Sequence, residues 1–502
     1  MKSDEPIPEE SDRGSPRKMR KKWRPRRRFV YAVILVLAHV AGALTSVKAV
    51  MDVRTSQGAI AWVISLNAIP LVAVPAYWVF GRSKFSGYVV ARRSSLAEVE
   101  QVKESFNAAL KDRDLIAAPE EQRPFFAETL AGLPFTRGND VELLINGDAT
   151  FASINEGIDR AKDYVLVQFY IIRDDDTGRA MKERLIARAK EGVRCCLLYD
   201  EVGTRMKKGS TYFQDLKNAG VEVFPFNTTQ GDTNRFQLNF RNHRKIVVVD
   251  GKEAWVGGLN VGDEYKGLDP KFGFWRDTHM RLTGPVVACI QVPFVEDWYW
   301  ASKELMKGLN WDPQPAESGK SRAALCLPTG PAAEMEYCTL FFLSIINAAE
   351  DRLWIASPYF VPDEQFISAL QLAELRGVDV KILIPDKSDS KLVQYSHWSF
   401  IEELEAAGIE AYRYEKGFMH HKVVLVDDKM ATVGTSNFDN RSFRLNFEIT
   451  MAILDEDFNA QVAAMLEQDF AESSQSFTKD FSERGFLFRL AARVARLAAP
   501  IQ

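Results

Sequence analysis

The chain has 502 residues, 46% of them hydrophobic and 26% charged, with a net charge of −4. That length exceeds one ordinary domain and can bury two sizeable cores, while the near-neutral charge gives no global case for a nucleic-acid partner. The five cysteines (Cys195, Cys196, Cys289, Cys326, Cys338) form no CxxC pair and no metal-ligand spacing, so they read as reduced core residues of a cytoplasmic domain with no zinc implied.

The N-terminal end is asymmetric. Residues 13–28 carry ten Lys/Arg and no acid, and residues 1–28 form a basic tail. Phe29–Val47 then runs 19 residues without a formal charge, and Ala59–Phe80 runs 22. Each run is long enough to cross a bilayer at about 20 residues. A signal peptide would explain the first run but not the second. The expectation is therefore two hydrophobic membrane helices within 29–81, the second kinked or made re-entrant by Pro70 and Pro75. Arg82, Lys84, Arg92 and Arg93 follow the second run, whereas the short connector sets Lys48 and Arg54 against Asp52. Positive-inside bias then holds the tail and the large C-terminal body on the cytoplasmic side of the inner membrane, multi-pass. Residues 82–135 read as a linker region.

From residue 136 strands and helices alternate. YVLVQFYII (Tyr164–Ile172) and VRCCLLYD (Val193–Asp200) are strand-like and flank a helical stretch. The same order returns as RLWIASPYF (Arg352–Phe360), a helical stretch, and VDVKILIPD (Val378–Asp386). This is α/β architecture written twice, as domains 136–315 and 316–502, with the Pro/Gly/Ser composition of a linker at Trp311–Arg322.

The strongest signal sits once in each copy. RNHRKIVVVDGKEAWVGGLN places Lys245 two residues and Asp250 seven residues after His243; FMHHKVVLVDDKMATVGTSN places Lys422 and Asp427 likewise after His420. Gly257-Gly258 and Gly434-Thr435 follow, then Asn260 and Asn437, each 17 residues beyond its histidine. On a strand, residues two apart face the same way, so each histidine projects with its lysine while the apolar residues anchor the strand. Two such half-sites about a pseudo-twofold offer two imidazoles, two ammoniums and two amides to one phosphate. One histidine can attack phosphorus and the other protonate the leaving oxygen. Lysines and asparagines would stabilise the equatorial oxygens, which makes a metal or other cofactor unnecessary. The candidate catalytic set is thus His243, Lys245, Asp250, His420, Lys422 and Asp427, with Asn260 and Asn437 on the phosphate. Neither aspartate need enter the site, because each closes its strand at a turn. In HHK the spacing selects His420, and strand alternation turns His421 away, as it does Arg244 in the first copy.

This doubled HxKxxxxD pattern with its trailing Gly and Asn resembles the phospholipase D superfamily, over essentially all of 136–502. YIIRDDDTG (170–178), LYDEVGT (198–204), FWRDTHMRLTGP (274–285), SPYFVPD (357–363) and GTSNFDNRSFRLNFE (434–448) are similar to bacterial cardiolipin synthases. The resemblance implies two tandem phospholipase D-like α/β/α sandwich domains related by a pseudo-twofold. It implies transfer of a phosphatidyl group between two phosphatidylglycerols with release of glycerol, through a phosphohistidine on His243. His420 is then general acid and later base. The implied partners are phosphatidylglycerol, anionic membrane lipid and the membrane itself. The family orients each histidine with a downstream carboxylate, here Asp277 after His243 and Glu448 after His420. Gln168 departs from the glutamate of many relatives, which bears on headgroup binding. Another transphosphatidylase or hydrolase of the superfamily, and a catalytically silent lipid-binding scaffold, are the competing readings.

Several features have plainer readings. Asp277 and Glu448 adjoin Arg276 and Arg444 and could serve structural ion pairs instead. His279 and His397 read as structural or surface histidines, His39 has no assigned role, and Asp174–Asp176 reads as a solvated loop. Arg489, Arg493 and Arg496 lie at helical spacing opposite Leu487, Leu490, Val494 and Leu497. That suits an interfacial helix, or one packed on the body.

Overall fold

The computed structural model describes residues 24–53, 55–81, 88, 102–117, 125–226 and 239–502. Most of the basic tail and much of the linker region lie outside the described residues. The chain divides into two compact units, Met1–Arg82 and Ser83–Gln502.

In the first unit α1 (Arg24–Asp52) is continuous over 29 residues. Its apolar part, Arg27–Asp52, is the one helix among the described residues long and apolar enough to cross a membrane. At 1.5 Å per residue its 26 residues span about 39 Å, against about 30 Å of hydrocarbon. The second apolar run does not form a second such helix, which corrects the two-helix expectation. Pro70 supplies no backbone N–H, and Ile69 leaves the helical region at φ −134°, ψ 57°. The run splits there into α2 (Ser56–Ala68, 13 residues) and α3 (Pro70–Phe80, 11 residues). Both pack on α1. At Gly42 any Cβ would lie 2.2 Å from Leu66 O, so only glycine allows this approach. Asn67 donates to Ser46 Oγ at 2.8 Å, joining α2 to α1 through side chains.

The second unit is built on one large sheet. Its first repeat contains β1 (Thr136–Ile145), β2 (Tyr164–Phe169), β3 (Arg194–Asp200), β4 (Glu222–Phe226), β5 (Ile246–Val249), β6 (Glu253–Gly257) and β7 (Thr278–Thr283). The second contains β8 (Arg322–Thr329), β9 (Arg352–Ala356), β10 (Asp379–Pro385), β11 (Glu410–Tyr414), β12 (Val423–Val426), β13 (Met430–Gly434) and β14 (Asn446–Leu454), with β15 (Ser473–Ser476) added at its edge. In space the first runs β1-β7-β6-β5-β2-β3-β4 and the second β8-β14-β13-β12-β9-β10-β11. The two orders are the same, and antiparallel pairing of β1 with β8 joins them.

Helices cover both faces, so the central strands are apolar on both sides rather than alternating. Val165, Val167, Val247 and Val249 face α4 (Asn146–Arg160) and α5 (Asp176–Lys190), while Leu166, Ile246 and Val248 face α6 (Val286–Ser302). The second repeat copies this layering: Val424 and Val426 face α7 (Glu364–Leu375) and α8 (Lys391–Glu405), and Val423 and Leu425 face α9 (Glu456–Ala471). The inner cluster is continuous through both repeats, so the two halves share one core. All five cysteines are buried, as core residues should be. The C-terminal α10 (Phe486–Arg496) rests on α8 through buried Ala492 and Ala495 and exposes Leu487, Leu490, Val494 and Leu497. The alanine face packs on the body, as one of the two readings expects, and the leucine face remains uncovered among the described residues.

Candidate active site

Each motif histidine stands just ahead of a strand whose four residues are all buried, β5 or β12. What faces it is decided by pairing between the repeats. Arg241–Asn242 runs parallel to Asn446–Phe447, and Phe418–Met419 runs parallel to Trp275–Arg276. These ribbons continue one residue further: His243 N–H donates to Phe447 O at 2.9 Å, and His420 N–H to Arg276 O at 2.7 Å. The residue after each accepting carbonyl is a carboxylate. His243 Nδ1 lies 2.9 Å from Glu448 Oε2, and His420 Nδ1 lies 2.7 Å from Asp277 Oδ2. The expected pairing of each histidine with a carboxylate of its own repeat is thus corrected: the carboxylates are exchanged. Neither is diverted into the neighbouring ion pair, since Arg276 binds Asp469 and Arg444 binds Glu336 and Asp363. A carboxylate on Nδ1 places the proton there and leaves Nε2 as the reactive nitrogen.

The surroundings of the two carboxylates differ. A Cβ at Gly258 would lie 2.1 Å from Asp277 Oδ1, so this glycine is required by space. The corresponding Thr435 instead donates its hydroxyl to Glu448 Oε2 at 2.5 Å.

Lys245 Nζ donates to His243 O at 2.7 Å and Lys422 Nζ to His420 O at 2.8 Å, so each ammonium folds back beside its own histidine. Lys422 Nζ is also 3.1 Å from His420 Nε2. Burial, with the lysine charges, pushes His243 down to about 4 and His420 to about 3, leaving both imidazoles neutral at pH 7. Burial likewise lowers Lys245 to about 7 and Lys422 to about 8, although Glu448 and Asp277 oppose it. Burial works against the carboxylates too, but the adjoining histidines and lysines outweigh it and hold Asp277 and Glu448 below their usual range. Lys422 acts on His243 and Lys245 on His420, so the two half-sites form one electrostatic unit.

Asp250 and Asp427 do not join that unit, which corrects their place in the catalytic set. Asp250 accepts the N–H groups of Lys162, Asp163 and Tyr164 at 2.8–2.9 Å, and Asp427 accepts those of Glu350, Asp351 and Arg352. Each sits in left-handed backbone, φ 53° and 52°, and pins the entrance of β2 or β9. Their work is structural. Asn260 Oδ1 accepts from Ile171 N–H at 3.1 Å, whereas Asn437 Oδ1 is buried with no hydrogen-bond partner among the described residues.

Between each histidine and lysine the side chain turns inward, as alternation requires. Arg244 pairs with Asp297 of α6 at 2.8 Å, and His421 Nε2 with Asp469 of α9 at 3.0 Å. Asp297 also receives Tyr88, Asn242 and Gln168, the last at 2.7 Å. Gln168 therefore belongs to this buried network and does not reach out to a headgroup. Sequence reasoning missed Asp297 and Asp469; an aspartate alone on the buried face of an apolar helix was the available signal. His279 and His397 are buried, as structural histidines, with burial pushing both down to about 3. Asp174–Asp176 forms the cap of α5, where Asp175 accepts from Gly178 N–H.

Comparison with known proteins places relatives along nearly the whole chain. The family described as "Cardiolipin synthase, PLD-like domain" matches residues 154–267 and 342–470, one segment in each repeat. Cardiolipin synthase A of Pseudomonas fluorescens is 44% identical over 477 residues, covering 94% of this chain and 98% of that protein. Cardiolipin synthase A of Pseudomonas putida is 44% identical over 478 residues, with the same shares. Among solved structures, the phosphatidylserine synthase of Haemophilus influenzae superposes with a TM-score of 0.57 at 16% identity, covering 75% of this chain and 99% of that one, a likeness of fold. With one histidine, one lysine and one exchanged carboxylate from each repeat, and relatives matched nearly end to end, the chain belongs to the phospholipase D-like cardiolipin synthase family.

Proposed function

We infer that this chain is a cardiolipin synthase that joins two phosphatidylglycerols and releases glycerol. The observation that carries the mechanism is the crossed pair of His–carboxylate contacts around two buried lysines. His243 Nε2 attacks phosphorus of the first lipid, and the P–O bond to its glycerol headgroup breaks as His420, protonated on both nitrogens once the bound phosphate offsets the lysine charges, gives the leaving oxygen a proton. The product is a phosphatidyl-histidine and free glycerol. His420 then takes the proton from a hydroxyl of the second lipid's glycerol, whose oxygen displaces His243 from phosphorus. Lys245 and Lys422, with Asn260 and Asn437, hold the charge that grows on the equatorial oxygens. Glu448 steadies the positive charge that His243 gains in the first step, and Asp277 does so for His420 in the second.

The substrates reside in a bilayer, and α1 supplies an anchor of sufficient length. The basic residues Arg82, Lys84, Arg92 and Arg93 ahead of the catalytic body support a cytoplasmic side for it. The uncovered leucine face of α10, edged by Arg489 and Arg493, suits a second contact with anionic lipid. Product analysis tests the reading: purified protein given phosphatidylglycerol alone should yield cardiolipin and glycerol in equal amounts by mass spectrometry. Phosphatidic acid alone would identify a hydrolase, and no turnover would identify a scaffold.

A further inference from the structure

The twofold that relates the two histidines is broken beside one of them. Tyr170 sets its ring edge-on to His243, with centroids 5.0 Å apart, and the Arg241 guanidinium lies near its phenol. Arg441 comes from the other repeat and donates to Asn239 Oδ1 at 3.0 Å and Asn239 O at 2.5 Å; Arg241 donates to Phe240 O at 2.6 Å. Two guanidiniums therefore gather on one short stretch, 239–241, next to the reaction centre. Tyr170, Arg241 and Arg441 all remain partly exposed.

Repeat register identifies the same three places around His420. Asp250 pins Tyr164 as Asp427 pins Arg352, which sets Tyr170 against Pro358. Counting back from the histidines sets Arg241 against Phe418, and counting on from the asparagines sets Arg441 against Glu264. Glu264 is engaged by Arg173 at 3.2 Å. One flank thus carries two cations and a phenol where the other has a proline, a phenylalanine and a paired carboxylate.

Neighbouring guanidiniums repel unless negative charge lies near. Burial and the charge of Arg241 hold Arg441 below its usual range. The nearby carboxylates Asp200 and Asp439 are themselves buried, which raises them to about 7 and about 6 and weakens their charge near neutral pH. A guanidinium fork matches the paired oxygens of a phosphodiester.

We propose that Tyr170, Arg241 and Arg441 form a second phosphate site, which takes the phosphodiester of the acceptor lipid while the histidines and lysines hold that of the donor. This rests on the reading of the chain as a cardiolipin synthase and adds how it selects its acceptor. The two phosphates of cardiolipin are joined by a single glycerol, so an acceptor whose hydroxyl reaches phosphorus carries its own phosphate only three carbons away. Water and free glycerol carry none, and the site favours the anionic lipid over both.

The test compares two reactions that begin with the same donor step: cardiolipin formation from phosphatidylglycerol, and exchange of labelled free glycerol into phosphatidylglycerol. The full chain is used with Arg241→Gln, Arg441→Gln and the conservative Arg241→Lys. In each Gln variant the ratio of cardiolipin formation to exchange should fall at least about ten-fold, the worth of one lost charge-assisted hydrogen bond, through a raised KM for the acceptor lipid. Arg241→Lys should recover part of that ratio, and the exchange rate itself reports that the variants are folded. An unchanged ratio, whether both rates fall together or neither falls, overturns the second site. A wild-type enzyme that exchanges glycerol but makes no cardiolipin overturns both this site and the function it rests on.

Discussion

His243 Nδ1 and Glu448 Oε2 meet at 2.9 Å although 205 residues separate them in sequence and they belong to different repeats. His420 and Asp277 repeat the relationship in reverse at 2.7 Å. Neither repeat holds a complete His–carboxylate pair, so neither can act alone. The pairing also assigns each carboxylate to a step. Glu448→Gln should slow formation of the phosphatidyl-enzyme, and Asp277→Asn should slow its transfer to the acceptor, each by about 10²–10⁴-fold in rapid-quench kinetics. The opposite assignment would mean that each carboxylate serves the histidine of its own repeat.

The doubled histidine separates chemistry from packing. His420 adjoins Lys422 Nζ and Asp277, whereas His421 lies fully buried between Asp469 and Thr278. His420→Ala should lower turnover by about 10²–10⁴-fold at nearly unchanged stability. His421→Ala should keep most activity and lose about 1–3 kcal/mol of stability, because Asp469 and Thr278 forfeit a buried partner. Turnover and thermal melting of the two variants check both statements.

The pH profile follows from the shifted groups. A neutral His243 is needed for attack, and its fall to about 4 keeps it neutral until the pH drops to that value. Cationic lysines are needed to receive the phosphate, and their fall to about 7 and about 8 means the charge is lost as pH rises through that range. For kcat/KM, which reports the free enzyme, loss of the two lysine charges should steepen the alkaline fall near pH 7–8. Unshifted lysines would place that steepening near pH 10.5 instead.

Much of this was legible before any coordinates. The motif, its doubling, the anchoring strands and the turn of His421 away from the site follow from spacing and strand alternation, which are local properties. The exchange of carboxylates does not, because it depends on the parallel pairing of Arg241–Asn242 with Asn446–Phe447, a contact that no periodicity encodes. Gln168 pointed to headgroup binding only through its departure from the glutamate of many relatives, yet it bonds Asp297 on a helix beneath. The second apolar run was long enough by composition alone; Pro70 and the backbone turn at Ile69 broke it, and hydropathy does not register backbone geometry.

Gly258 offers a steric test of the Asp277 contact. Its Cα lacks room for a methyl, which would meet Asp277 Oδ1 at 2.1 Å. Gly258→Ala should therefore push the carboxylate off His420 and cost about 10-fold or more in kcat with a smaller change in KM. Steady-state kinetics at saturating lipid read this directly.

The most direct test of the account is to map the covalent intermediate. Phosphatidylglycerol labelled in its phosphate, mixed with His420→Ala, should leave label on the peptide carrying His243, since attack proceeds slowly without the acid while transfer of the phosphatidyl group to the acceptor hydroxyl lacks its base. His243→Ala should accumulate none. Label that accumulates in His243→Ala on the His420 peptide, and not in His420→Ala, would contradict the assignment of nucleophile and acid made here.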